Sequence, residues 1–183
     1  MTNNYKTARI IMIVVILLST ILGNYRSISS ETNKVLQVFE VGINKDGLCA
    51  RNDIKDRYND SINLLSLASR YGVTHEALEY NTQEINLVLN KKTSASTIKE
   101  LNALNDRLTI AFDGLYETII DELKENDRKL ATGLYDDFHS SANILSHSEY
   151  NVVAVEYNQM ISSFPNNFLS LTNRSKTLPL FGE

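Results

Sequence analysis

Apolar and polar positions follow three different rules along this chain. Ile10–Leu22 (IIMIVVILLSTIL) is a run of 13 residues, apolar on every side apart from Ser19 and Thr20. A helix in water needs an apolar stripe, not an apolar circumference. The run is shorter than the roughly 20 residues that cross a hydrocarbon core. Thr7 and Ala8 before it and Gly23 and Tyr25 after it extend it, with Arg9 reaching the interface on its aliphatic stem. Three readings fit: an uncleaved single-pass anchor over residues 10–23, behind a short basic segment 1–9, a cleaved secretory signal, and a buried core helix. Gly23-Asn24-Tyr25-Arg26 makes a poor cleavage site and favours the anchor. Lys6 and Arg9 lie closest to the run, which puts the N-terminus in the cytoplasm and the bulk of the chain outside.

Residues 24–51 follow no clear period, and with glycines at 42 and 47 they read as a linker leading into the folded domain. From residue 52 the helical period takes over. Asn52 or Asp53 caps a first helix reaching Arg70, with Ile54, Tyr58, Ile62 and Leu65 on one face and Tyr71-Gly72 as its stop. Thr74 is the expected cap of a second, whose Leu78, Ile85, Val88 and Leu89 face the core as far as Asn90. In the third, from near Ser96, Leu101, Leu104, Leu108, Ala111, Leu115 and Ile119 step by threes and fours. The fourth starts near Leu130 and is long: Phe138, Ala142 and Leu145, then Tyr150, Val153, Tyr157, Met160 and Phe164, repeating like a heptad seam until Pro165. The prediction is an all-α domain over 52–165, an up-and-down antiparallel four-helix bundle behind the anchor. Residues 166–183 form an extended tail, in which Leu178–Phe181 has the bundle or the lipid to lie on.

Composition agrees with helices. Two prolines and seven glycines in 183 residues leave long stretches without breakers, which argues against a turn-rich sandwich or barrel. Net charge is −4, and about −6 once Lys6 and Arg9 are set aside, so the domain is repelled by anionic lipid and makes a poor nucleic-acid binder. A lone Cys49 excludes an internal disulfide and a multi-cysteine zinc site.

The fourth helix carries Glu149-Tyr150-Asn151 and, one heptad later, Glu156-Tyr157-Asn158, leading to Phe164-Pro165-Asn166-Asn167. Here the chain resembles the LemA family of bacterial membrane-anchored proteins, whose last long helix has two Tyr-Asn pairs seven residues apart and a closing Phe-Pro-x-Asn. Arg57, Asp60, Ile62 and Leu65, followed by His75-Glu76, are similar to that family's first-helix motif and the start of its next helix. Three features depart from it: Asn63 where proline is usual, no arginines in Ser140–Ser148, and glycines at 42 and 47 where a helix is expected. The resemblance implies a helical domain on one membrane anchor and no established catalytic activity. Tyr150, Asn151, Tyr157, Asn158, Phe164, Pro165 and Asn167 are the candidate site, either packing residues that fix helix register or a polar-aromatic strip for a partner.

No catalytic, metal or cofactor constellation stands out. His75, His139 and His147 lack the helical spacing of a metal motif, and Cys49 has no neighbouring base. His75 reads as a solvated helix cap, and His139 and His147, among four serines, as exposed surface. The expectation is a non-enzymatic interaction or scaffold protein of the cell envelope, without cofactor or nucleic acid. Its partners are the membrane and other proteins, a second copy included. The alternative is an extracytoplasmic sensor with a small ligand between its helices.

Overall fold

The structure, a computed structural model, describes residues 2–163, 166–167 and 177–182. Among them are six α-helices and no strand: α1 (Thr2–Val41), α2 (Ala50–Ser69), α3 (Glu76–Leu89), α4 (Ala95–Ile119), α5 (Glu125–Ser146) and α6 (Glu149–Ser162).

The largest departure from the sequence reading is α1. The stretch 24–51, expected as a linker, is helical as far as Val41, so the apolar run and the helix after it form one rod of 40 residues, about 60 Å long. What changes along the rod is the width of its apolar face. Beyond the run, Ile28, Val35 and Phe39 are buried and Thr32 half-buried, at spacings of four, three and four. So narrow a seam leaves most positions polar and reads as irregular. Gly42 stops the rod at φ 77°. A Cβ there would lie 2.5 Å from the Leu48 carbonyl oxygen, so the turn needs glycine. Among the described residues α1 is the one helix long and apolar enough to cross a membrane, and its most apolar 18-residue window has a mean hydropathy of 2.0 with no residue buried.

Helices α2 to α5 pack together, α2 antiparallel to α5 and α3 antiparallel to α4. Arg57 of α2 and Tyr71, in the turn after it, meet Phe138 and Asp127 of α5. Asn81 of α3 donates to the Arg107 carbonyl of α4, and His75 lies beside Gly114. Phe112 of α4 stacks on Phe138 of α5 with centroids 3.8 Å apart. Arg51 holds the lower end, pairing with Glu40 of α1 at 2.7 Å and donating to Thr93 and to the Leu89 carbonyl.

The buried face of α2 differs from the expected one. Ile54, Arg57, Ser61, Leu64 and Ala68 point inward, whereas Tyr58 and Leu65 are half-buried and Ile62 is exposed. A charged residue in the stripe hid the true face. The Arg57 guanidinium donates to Asn105 and, at 2.7 Å, to Thr109 of α4, and lies 4.0 Å over the Phe138 ring of α5. One side chain therefore ties three helices. Burial lowers its pKa to about 10 although Asp113, Asp106 and Asp60 pull the other way, so it stays charged at neutral pH.

The helix expected from Leu130 to Phe164 starts earlier, at Glu125, and is two helices. Backbone at His147 and Ser148 leaves the helical region, and α6 restarts with Glu149 in its first turn. The buried seam of α6 is Tyr150, Ala154, Tyr157 and Ile161; Val153 and Met160, expected in the seam, are half-buried beside it. Helix α6 runs antiparallel to α1, since Phe39 packs on Tyr150 while Thr32 bonds to Tyr157. The molecule has two tiers, α2 to α5 above and α1 with α6 below.

Between α2 and α5, Asp56, Asp60 and Asp137 share one cleft. Burial, then Asp137 and Asp56, push the Asp60 carboxyl up to about 6. A carboxyl raised on folding favours the native state below the unfolded pKa of about 4 and loses that advantage as pH rises through about 6. Asp60→Asn is therefore expected to raise Tm at pH 7.5, to change it little at pH 4, and to flatten the stability profile between, as thermal melts across that range would register.

Candidate functional site

Among the described residues the lower tier has two helices, and a third element adds to it. Residues 177–182 lie along α6 without forming helix or strand. Leu178 and Phe181 are buried, whereas Pro179 and Leu180 are half-buried. Phe181 enters an aromatic cluster with Phe39 of α1 and Tyr150 of α6, its centroid 6.1 Å from the first and 5.6 Å from the second. The tail expectation is thus resolved in favour of the bundle.

What holds the segment is the pair of asparagines that gave the sequence its motif. The Asn158 amide donates to the Leu178 carbonyl at 2.8 Å and accepts the Leu178 N–H at 2.8 Å. One heptad earlier, Asn151 donates to the Phe181 carbonyl at 2.9 Å and accepts the Phe181 N–H at 3.0 Å. Each side-chain amide thus pairs with the N–H and C=O of one residue, as the facing residue of a neighbouring strand would. Tyr150 adds a fifth bond, its hydroxyl donating to the Pro179 carbonyl at 2.9 Å.

The spacings match. Seven residues of helix advance about 10.5 Å. Three residues of extended chain advance about 10 Å. Asn151 and Asn158 therefore stand one ladder step apart for partners three residues apart. Pro179 suits the middle position: it has no N–H to leave unpaired, and it biases Leu178 toward extended backbone. Asn151 also donates to the Ser146 carbonyl at 2.8 Å, which anchors the amide across the α5–α6 break. The segment ends at Gly182, φ 82°, where a Cβ would meet the Ser146 side chain at 2.5 Å.

The tyrosines of the motif face inward. Tyr150 is 1% exposed and Tyr157 4% exposed. The Tyr157 hydroxyl accepts from Thr32 of α1 at 3.1 Å, and burial raises the pKa of Tyr150, so the Tyr150 hydroxyl stays protonated. Of the closing motif, Asn166 donates to the Met160 carbonyl at 3.0 Å and the Asn167 N–H bonds the Ser163 carbonyl at 2.9 Å; Phe164 and Pro165 lie outside the described residues. The structure thus brings Tyr150, Asn151, Tyr157 and Asn158 together with Thr32, Phe39, Leu178 and Phe181, which the sequence reading had not joined to them. The signal available was the match between seven helical and three extended residues.

The remaining candidates lie apart from this site. His75, rather than Thr74, is the cap of α3, its Nδ1 accepting the Leu78 N–H at 3.2 Å. His139, expected on an open polar surface, is half-buried and bonded to Asp113 at 2.9 Å. Cys49 is buried with its thiol donating to the Glu40 carbonyl at 3.1 Å, and burial pushes its pKa up, which makes it a poor nucleophile. No group of three or more His, Cys, Asp or Glu that could hold a metal is assembled among the described residues.

Compared with known proteins, the chain matches no family model, no curated protein and no solved structure.

Asn158→Ala would leave both Leu178 backbone groups without their partner, a local loss of about 1–2 kcal/mol. The expected result is amide exchange at least tenfold faster at Leu178, with protection of α4 unchanged, as site-resolved hydrogen exchange would record.

Proposed function

We propose that this is a membrane-anchored, non-enzymatic interaction protein of the bacterial cell envelope. In this reading α1 crosses the membrane once and the rest of the chain lies outside the cytoplasm. The observation that carries it is the continuity of α1. Leu22, the last residue of the exposed apolar run, and Ile28, the first buried residue, are six positions apart on one helix, or about 9 Å. That distance is about the thickness of a lipid headgroup layer. Tyr25 and Arg26, both exposed, occupy the interval with side chains suited to an interface. The domain therefore stands at the membrane surface on a stiff mount.

The resemblance to the LemA family supports the same reading and expects an up-and-down bundle, here α2 to α5. Helical structure as far as Val41 supplies the helix the resemblance calls for. Partners in this reading are other proteins at the membrane, a second copy included, and the domain's negative charge turns it away from nucleic acid. A second reading, a sensor for small apolar ligands, is favoured by one observation: a cleft of about 470 Å³ between α1 and α6, walled by Val35, Val38, Val153, Tyr157 and Met160.

The test is protease protection of a C-terminally tagged chain in intact spheroplasts, with a lysed control. The expected outcome is loss of the tag from intact spheroplasts, with full-length size before digestion. A tag protected until lysis would contradict the orientation, and a shortened N-terminus would contradict the anchor.

A further inference from the structure

The contacts of residues 177–182 are those of a ligand in a groove. Five hydrogen bonds join the segment's backbone to α6, and all five come from side chains, those of Tyr150, Asn151 and Asn158. Such bonds read backbone and accept any sequence. Selectivity lies in the two positions whose side chains are buried, Leu178 and Phe181, and in position 179, where proline supplies no N–H and restricts the backbone. The arrangement resembles recognition by strand addition, in which main-chain bonds supply affinity and pockets for spaced side chains supply choice, except that a helix presents the ladder.

We propose that the face of α6 lined by Tyr150, Asn151 and Asn158, with Phe39 of α1, is a binding site for extended Leu-Pro-x-Phe segments of partner proteins, and that residues 177–182 occupy it as a competing ligand from the same chain. The partner's chemistry is set by the seated segment: an apolar residue, a proline, a free position and an aromatic residue, in extended backbone with both end peptide units open for bonding. The intramolecular ligand has the advantage of high effective concentration. A partner gains access when it is held near the groove, as another protein in the same membrane would be, or when its own pockets fit better. Release of the segment uncovers Phe39 and Tyr150, so the exposed apolar surface appears only when a competitor is there to cover it.

This inference rests on the interaction reading and names its partner class. The test uses the full chain in detergent, so its failure leaves the topology experiment standing, and failure there leaves this one interpretable. The chain has no tryptophan. Leu180→Trp therefore places a single reporter on the half-buried position of the segment. Titration with the peptide Thr-Leu-Pro-Leu-Phe-Gly is expected to shift the tryptophan emission to the red and to saturate. A peptide with Asp in place of Leu and Phe should give no shift. In a separate assay, fluorescence anisotropy of labelled peptide is expected to show binding at least tenfold tighter to Leu178→Ala/Phe181→Ala, whose own segment competes poorly, than to the unsubstituted chain. Adding Asn151→Ala and Asn158→Ala should remove that gain. Three results would overturn the proposal: no emission change at millimolar peptide, peptide affinity unaffected by loss of the two asparagines, or an emission change that depends on protein concentration with a doubled mass and no peptide. The last would assign the groove to exchange of segments between two copies.

Discussion

One helix carries two kinds of surface, and most of this structure follows from that. Within α1, Ile10–Leu22 is apolar around its circumference apart from Ser19 and Thr20; from Ile28 on, the helix has a single seam of Ile28, Thr32, Val35 and Phe39. The first stretch is exposed, and in the proposed function hydrocarbon covers it; the second is covered by a protein partner. Helix α6 is that partner, with its own seam of Tyr150, Ala154, Tyr157 and Ile161 at the same spacing. Between two helices the sides of such a seam stay partly open. Residues 177–182 cover one side with Leu178 and Phe181, and the asparagines bear the cost of bringing bare peptide groups into that contact.

The upper tier is built on a different principle. There the central element is a charge, since Arg57 sits among α2, α4 and α5 with a stacked ring beneath it and Asn105 and Thr109 as acceptors. Replacing such a group by an apolar one leaves those acceptors without a donor, whereas keeping it fixes which helices meet and in what register. The two tiers are joined by short links at one level, Arg51 to Glu40 and the Asn151 amide to Ser146, and the Ile43 N–H bonds Glu149 at 2.9 Å beside them. A change in the groove therefore borders directly on the α5–α6 break.

How much of this was legible in the sequence varies with the kind of signal. The apolar run was plain, because 13 residues without a polar face have few other uses. Helices α3 and α4 were plain, because their stripes are broad: Leu101, Leu104, Leu108 and Leu115 are all buried as spaced. The stretch from Asn24 to Val41 was misread, since a seam with one apolar residue per turn or fewer looks like no pattern at all. The face of α2 was misplaced by Arg57 and Ser61, polar residues that a count of apolar positions passes over. The Tyr-Asn repeat stood out as a motif, but its purpose lay 20 to 30 residues further along the chain, in a segment too short for any period. Contacts between a helix side chain and an extended backbone leave no trace except a ratio of spacings, seven to three.

The account turns on α1 being one rigid helix through the membrane surface. Site-resolved amide exchange on the full chain in a lipid nanodisc tests this most directly. Strong protection running unbroken across Gly23, Asn24, Tyr25, Arg26 and Ser27, into the segment that packs on α6, is the predicted result. Exchange at those residues near the rate of an unstructured peptide, with protection on either side, would show two helices joined by a hinge and would contradict it.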